Sequence, residues 1–369
     1  MVNIVYSFNK RGFEADYWDR EIRAASGDHA RFIPFNHGLY LDPNKYVRAQ
    51  LLDNLYSADD RALLQMYRDL EQVIRDSNAD ALVVDNYPPY HPDYLRSLRV
   101  YKVLRTSDGP ICAYDRDFPY VHAYDHVVYH SPAYSPALDM AEKLQYVGAK
   151  RTDFWPLGAF EAMYDTRARE QDLFPGERDI DVLFIGALHL NKMPLLAKVK
   201  KALGSSFRLF GLAGLKRNLY FNVKYGAPGW VSSVRFEDYV RLYRRAKIGI
   251  NAHNRGDYTV GSYRLFDLPA NGVMQISDGG RHLGAFFSVG EEIIGYRDAD
   301  ELIDKIRYYL IRDDERVAIA RRGYRRVMAQ HRMGDRFREL ARLIEDGVAR
   351  RGRPADACSD SVSGTTSLR

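Results

Sequence analysis

Thr259-Val-Gly-Ser-Tyr-Arg-Leu-Phe-Asp-Leu-Pro-Ala-Asn-Gly272 is followed by the apolar run Val273-Met-Gln-Ile276 and by Ser277-Asp-Gly-Gly280. The order reads as loop, short helix, turn, strand. Gly261-Ser262 offers a turn and an N-cap hydroxyl, Leu265, Phe266 and Leu268 the apolar side of the helix, and Asn271-Gly272 a stop that tolerates left-handed backbone. A helix opening at such a turn presents unpaired N–H groups and the positive end of its dipole to an anion such as phosphate. Arg264 lies in its first turn, and Asp267 follows one turn later, spaced to meet a second part of the same ligand.

Around this stretch the chain alternates strand and helix patterns twice, which specifies an α/β fold with two sheets. In the first half, Asn3-Ile-Val-Tyr-Ser-Phe8, Arg31–Phe35, Ala81–Asn86, a strand ending at Arg105, and Asp125–His130 read as strands, with helices from Gly12 to about Ala25, from Ala58 to Asp76 and around 138–146. In the second, Val182–Ile185, Phe207–Phe210, Ile248–Ala252 and Glu292–Tyr296 read as strands. Helices are expected over 194–203, 236–246, 299–311, through Arg326, and over 333–350, with a long aromatic loop up to Trp230. The expected division is 1–160, a polar linker at 161–178 broken by Pro175-Gly176, 179–335, a last helix at 336–352 and a disordered tail at 353–369.

The segment Arg264–Gly272 resembles the donor-site helix of GT-B glycosyltransferases, above all the CgeB-like group, in which Arg-x-Phe-Glu-x-x-Ala-x-Gly recurs. The likeness extends through Asp181–Lys192 and Gly295–Leu302. It implies two Rossmann-like domains facing each other across a cleft, the last helix crossing back to the first, and transfer of a sugar from a nucleoside-diphosphate donor to an acceptor hydroxyl. On that resemblance Asp267 binds the ribose diol, and Lys192 and Arg264 meet the diphosphate. Gly186, Asn191, Asn251, His253, Asp257, Gly261 and Ser262 complete the donor side; Asn9, Gly12 and His130 line the acceptor side. Asp108 stands at a strand end, either as a carboxylate acting on the acceptor or as part of an Asp-Gly-Pro turn. Related retaining enzymes carry a second acid eight positions before the ribose-binding one, where this chain has Thr259. Asp257 is the nearby substitute.

Such enzymes generally use protein cations instead of a metal, so no metal and no cofactor are expected. Asp115-Arg-Asp117 and Asp179-Ile-Asp181 spell Asp-x-Asp, the metal-carrying motif of the other large glycosyltransferase architecture. A sugar-nucleotide epimerase of the same build and a nucleotide-sugar-binding module without catalysis are the competing readings. With two cysteines, Cys112 and Cys358, no disulfide framework is expected, and Met1-Val-Asn-Ile-Val-Tyr runs straight into a strand pattern without a basic n-region or cleavage site, so a cytoplasmic location is expected. Of the net charge of +5, an excess of +8 lies between Arg316 and Arg353, where 12 Arg face 4 acids. Those helices are the expected point of contact with an anionic membrane; nucleic acid is not an expected partner.

Overall fold

The computed structural model describes residues 1–40, 61–85, 90–106, 117–135, 137–174, 177–211, 214–227, 229–253 and 261–351. β1 (Val2–Phe8) leads into α1 (Phe13–Ala24), β2 (Ala30–Asn36), α2 (Arg61–Asp76), β3 (Ala81–Asp85), α3 (Pro92–Ser97), β4 (Tyr101–Arg105) and β5 (His126–Tyr129). A small antiparallel pair, β6 (Ala133–Ser135) and β7 (Leu138–Asp139), precedes α4 (Met140–Tyr146) and β8 (Thr152–Phe154). The second half runs α5 (Glu170–Leu173), β9 (Ile180–Ile185), α6 (Met193–Leu203), β10 (Phe207–Phe210), α7 (Leu215–Tyr225), α8 (Tyr239–Arg245), β11 (Ala246–Asn251), α9 (Arg264–Ala270), β12 (Met274–Ser277), β13 (Ile294–Gly295), α10 (Ala299–Leu310), α11 (Asp313–Gln330) and α12 (Met333–Arg351).

Both principal sheets are parallel, in the orders β2-β1-β3-β4-β5-β8 and β10-β9-β11-β12-β13. Helices cover both faces of such sheets, so the strands are near-continuous apolar runs, as Ala81-Leu-Val-Val-Asp85 is; Tyr101–Arg105 is likewise buried at every position, although it carries Lys102 and Arg105. In each sheet the chain steps outward from one strand in both directions: from β1 to β2 and β3, and from β9 to β10 and β11. Such a switch opens a crevice beyond the strands' carboxyl ends, where open α/β sheets bind ligands. Phe8 and Asp85 end the strands at one crevice; Ile185 and Asn251 end them at the other.

One aromatic cluster is common to both halves. Trp18 of α1 packs on Phe160 at 4.8 Å and on Tyr263 at 6.4 Å, while Phe337 of α12 meets Tyr6 of β1 edge-on at 5.4 Å. The last helix thus returns to the first sheet, where Gly347 lets Tyr101 lie directly on its backbone. Of residues 161–178, expected as a polar linker, Glu161 still donates its N–H to Glu21 of α1 at 3.1 Å, whereas the described residues from Glu170 onward pack on the second half. Leu173 and Phe174 are buried in its core, Arg325 holds Glu170 at 2.8 Å, and Arg178 donates to the carbonyls of Tyr243, Ala246 and Asn271. The chain changes halves earlier: Ala159 N–H donates to His331 O and Met333 N–H to Ala159 O, both at 2.8 Å, so the outgoing and returning segments run side by side. The expected aromatic loop before Trp230 contains a helix, α7, which is too amphipathic in the unusual direction to be read as one: much of its apolar surface faces outward.

Candidate functional site

The crevice of the second sheet is built on Gly186, directly after β9. A Cβ there would run into the Arg264 guanidinium, and a Cβ on Gly211 would run into the carbonyl of Gly186, so two glycines permit three segments to converge. Arg264 enters from the start of α9, over the Phe184 ring with 4.6 Å to its centroid. Its Nε donates to Ile185 O at 2.7 Å and its Nη1 to Asn251 Oδ1 at 3.0 Å. The seven-residue helix begins after Tyr263, and the Ser262 hydroxyl, expected to cap it, donates instead to Asn251 Oδ1 at 3.1 Å.

Asp267, three residues into α9 from Arg264, is 3% exposed, and its Oδ1 has no hydrogen-bond partner among the described residues. Burial pushes its carboxyl well above the usual carboxylate range, and the Arg264 charge pulls it back only in part. A buried acceptor without a donor costs about 1–3 kcal/mol unless a ligand supplies one. The residue borders a cleft of about 250 Å³, whose walls also include Glu14 and Tyr17 of α1, Gly186, Tyr239 of α8 and Arg264. The cleft therefore lies between the halves, not within one of them.

Lys192 precedes α6 and is 7% exposed. Burial, then the neighbouring Arg264 charge, brings its ammonium down to about 7, against a smaller opposing pull from Asp278. It has neither an ion pair nor a hydrogen bond among the described residues, although it sits within electrostatic reach of two charged groups of the crevice. Asn251 and His253, expected to touch a sugar, are engaged with the protein. Asn251 is fully buried, accepts from Ser262 and Arg264, and donates to Ser277 Oγ at 3.2 Å. His253 pairs through Nδ1 with Asp278 Oδ1 at 2.6 Å, and its Nε2 faces Gly261 N–H at 3.4 Å.

Gly261, with φ of +121°, comes against the carbonyl of His130 from the first half, with 3.1 Å to the position its Cβ would take. The structure thus joins His130 to the donor-side loop. Asn9 stands against Gly38 in the first crevice, Gly12 caps α1 with φ of +54°, and Asn191 is exposed at the entry to α6. Asp108, Asp257, Asp115 and Thr259 lie outside the described residues. Asp179 and Asp181 face away from any shared site: Asp179 is paired with Arg245, and Asp181 with Lys247 at 2.7 Å. Among the described residues no three His, Cys, Asp or Glu side chains converge as metal ligands.

Sequence reasoning did not single out Glu14, Tyr17, Tyr239, Asp278, or the polar knot of the first crevice. There Ser7 Oγ lies 2.8 Å from His37 Nδ1 and 2.6 Å from Tyr90 OH, and Arg105 Nη1 meets Asp85 at 2.5 Å. Glu14 and Tyr17, three apart on α1, and Phe236, Tyr239 and Tyr243 have helical spacing, which shows a shared face but not what faces it.

The architecture matches sucrose-phosphate synthase from Thermosynechococcus elongatus with a TM-score of 0.63 at 14% identity, over 95% of this chain and 100% of that one. Anabaena HepE in complex with UDP matches with a TM-score of 0.59 at 12% identity, over 94% and 100% of the two chains. The fold is GT-B. A Listeria monocytogenes protein described as a UDP-N-acetylglucosamine 2-epimerase is similar to this GT-B chain too, with a TM-score of 0.51 at 13% identity over 96% and 99%. Residues 193–342, most of the second GT-B half, match the family described as glycosyl transferase-like. No curated protein matches the sequence.

Proposed function

We propose that the protein is a glycosyltransferase that takes a nucleoside-diphosphate sugar between its two halves and passes the sugar to an acceptor hydroxyl. The observation that carries this reading is the Asp267 carboxyl oxygen, buried and unpartnered at the wall of the cleft between the halves. A ribose diol offers two hydroxyl donors to that acceptor, and Arg264 and Lys192 stand nearby for the diphosphate. In the reaction the bond from the sugar's anomeric carbon to the diphosphate oxygen breaks, and a bond to the acceptor oxygen forms. The acceptor's proton leaves to a base, and the departing diphosphate takes the electron pair. Lys192 and Arg264 stabilise that growing charge, the task a divalent ion performs elsewhere. The fixed Arg264 pre-organises its field, whereas the Lys192 ammonium becomes fully charged only with an anion beside it.

HepE is seen with UDP, which makes uridine nucleotides the first donors to try here. Thermal-shift measurements against UDP, GDP, TDP and CMP sugars test the donor class: a ligand at 100 times its Kd adds about 2.7 kcal/mol of stability. Stabilisation by none of them removes the reading. The structural likeness to an epimerase supports a second one, in which the sugar stays on the nucleotide. Incubation in deuterated buffer separates the two, because epimerisation beside the anomeric carbon leaves deuterium in the recovered sugar nucleotide. Transfer instead liberates nucleoside diphosphate in proportion to glycosylated acceptor, and the product's anomeric configuration, read by NMR, decides between retention and inversion. The location consistent with cytosolic nucleotide sugars is the cytoplasm.

A further inference from the structure

Helix α7 follows β10, the edge strand of the second sheet, in the chain and packs against α6. Its inner side is well anchored: Phe221 is buried, and the Asn218 amide both accepts from Val231 N–H at 2.9 Å and donates to Val231 O at 3.1 Å. Its outer side carries Leu215, Leu219 and Val223, four residues apart and 63%, 51% and 83% exposed. The spacing aligns them in one row about 12 Å long. Trp230, also exposed, follows the helix, and Tyr220 flanks the row.

The stretch of sequence that carries this row has charges of one sign. Between residues 182 and 236 there are nine Lys and Arg and no Asp or Glu, so the remainder of the chain is net acidic although the whole carries +5. Of these, Lys198 pairs with Asp300, Arg235 with Asp238, and Arg208 acts on Asp179, whereas Lys201, Lys216, Arg217 and Lys224 have no ion pair among the described residues. The arginines of α11 and α12, expected to be the membrane-facing cations, are differently placed. Arg321 and Arg325 pair with Glu170, Arg326 with Glu292, Arg336 with Glu339, Arg350 with Asp346, and Arg351 with Asp125.

We propose that the outer face of α7, with Trp230 beside it, is a docking surface for a bilayer bearing anionic headgroups. An exposed apolar row enters the boundary between headgroups and acyl chains, lysines and arginines beside it meet lipid phosphates, and tryptophan and tyrosine favour that boundary. A second copy fits less well, because a two-fold contact through α7 sets Lys216, Arg217 and Lys224 against the same cations of its partner. Bound in this way, the second half rests on the membrane by a surface helix.

The test is flotation of the full chain with vesicles of phosphatidylcholine, and of phosphatidylcholine mixed with phosphatidylglycerol, while tryptophan emission is followed. Trp18 and Trp155 are buried at 1% and 0% exposure, so a change on binding reports Trp230. Flotation with the mixed vesicles only, a blue shift that disappears in Trp230→Phe, and an about 100-fold weaker partition of the Lys216→Gln/Arg217→Gln/Lys224→Gln variant are the results expected. Leu219→Asp/Val223→Asp, at exposed positions, keeps the parent's Tm and loses flotation. The proposal is overturned by flotation with neither vesicle, by equal flotation of parent and variants, or by equal affinity for both lipid compositions. It is also overturned if light scattering finds the parent dimeric, the aspartate variant monomeric, and neither on vesicles, since the row then covers a second copy.

Discussion

Asp267 and Lys192 are ionisable groups held where their charged forms are costly, and under the proposed function each would be relieved by a different part of one ligand. Asp267→Ala leaves the ribose hydroxyls without an acceptor in a desolvated wall, so donor affinity falls by about 1.5–3 kcal/mol, roughly 10- to 150-fold, by calorimetry. A variant that binds nucleoside diphosphate as tightly as the parent reduces Asp267 to an interior helix residue and removes the donor site. For Lys192, brought down to about 7, the sign runs in two directions. Its neutral form predominates above about pH 7 in the free protein, whereas the unfolded lysine stays protonated to about pH 10.4, so this group makes folding stability rise with pH across that window. A diphosphate favours the ammonium, so binding above about pH 7 takes up a proton, and affinity falls about tenfold per pH unit. Calorimetry in buffers of different ionisation enthalpy measures the uptake, and Lys192→Met abolishes it; the same uptake in that variant assigns the proton elsewhere. Arg264→Ala loses turnover, and it also lowers stability by about 1–3 kcal/mol, since Ile185 O and the buried Asn251 amide lose a charged donor. An unchanged Tm speaks against that structural share. That Arg264 and Asp267 border one cleft was legible because their one-turn spacing is a local pattern, whereas a role toward a donor came from the resemblance. Asn251 and His253 were not, because a polar stretch looks the same in sequence whether its groups face a ligand or, as here, Ser262, Ser277 and Asp278.

Strands buried on both faces were the easiest elements to find: β3, buried at every position, spans Ala81–Asp85 within the expected Ala81–Asn86, and β9 and β11 begin two residues before their expected runs. Helix α7 was hidden for the opposite reason. Periodicity identifies a helix by the face that it buries, and this one buries Asn218 and Phe221 while Leu215, Leu219 and Val223 point outward. Residues 161–178 misled through composition, since charges and Pro175-Gly176 signal a linker only when those charges lack partners, and Glu170 and Arg178 have them. At α12 the fit against β4 depends on one absent methyl group. Gly347→Ala drives a Cβ into the Tyr101 ring, and the overpacking costs about 1–3 kcal/mol in urea denaturation. Tyr101→Leu in the same chain recovers part of that loss. If the single substitution is neutral, α12 does not bear on the first sheet as closely as described.

Across the whole molecule, the cleft has Glu14 and Tyr17 on one wall and Gly186, Tyr239 and Asp267 on the other, so a donor that fills it touches both halves. Saturating nucleoside diphosphate should therefore lower the radius of gyration in small-angle scattering, and an unchanged value excludes a large closing motion. The two-sheet architecture was legible from the repeated strand and helix alternation; the position of the crossing was not, because it depends on a pairing between residues far apart in the chain. That pairing has a mechanical consequence. Two independent tethers between rigid bodies allow bending, twisting and sliding, and each freedom that a ligand must remove weakens its binding. Here the tethers at Ala159 and at His331–Met333 are laced to each other by two backbone hydrogen bonds, and Gly158 presses against the His331 carbonyl. They act as one pin. Relative motion of the halves is therefore expected to turn about it rather than to shear. A closing stroke about such a pin would return Asp267 and α1 to the same register, as a hinge pin returns a door to its frame.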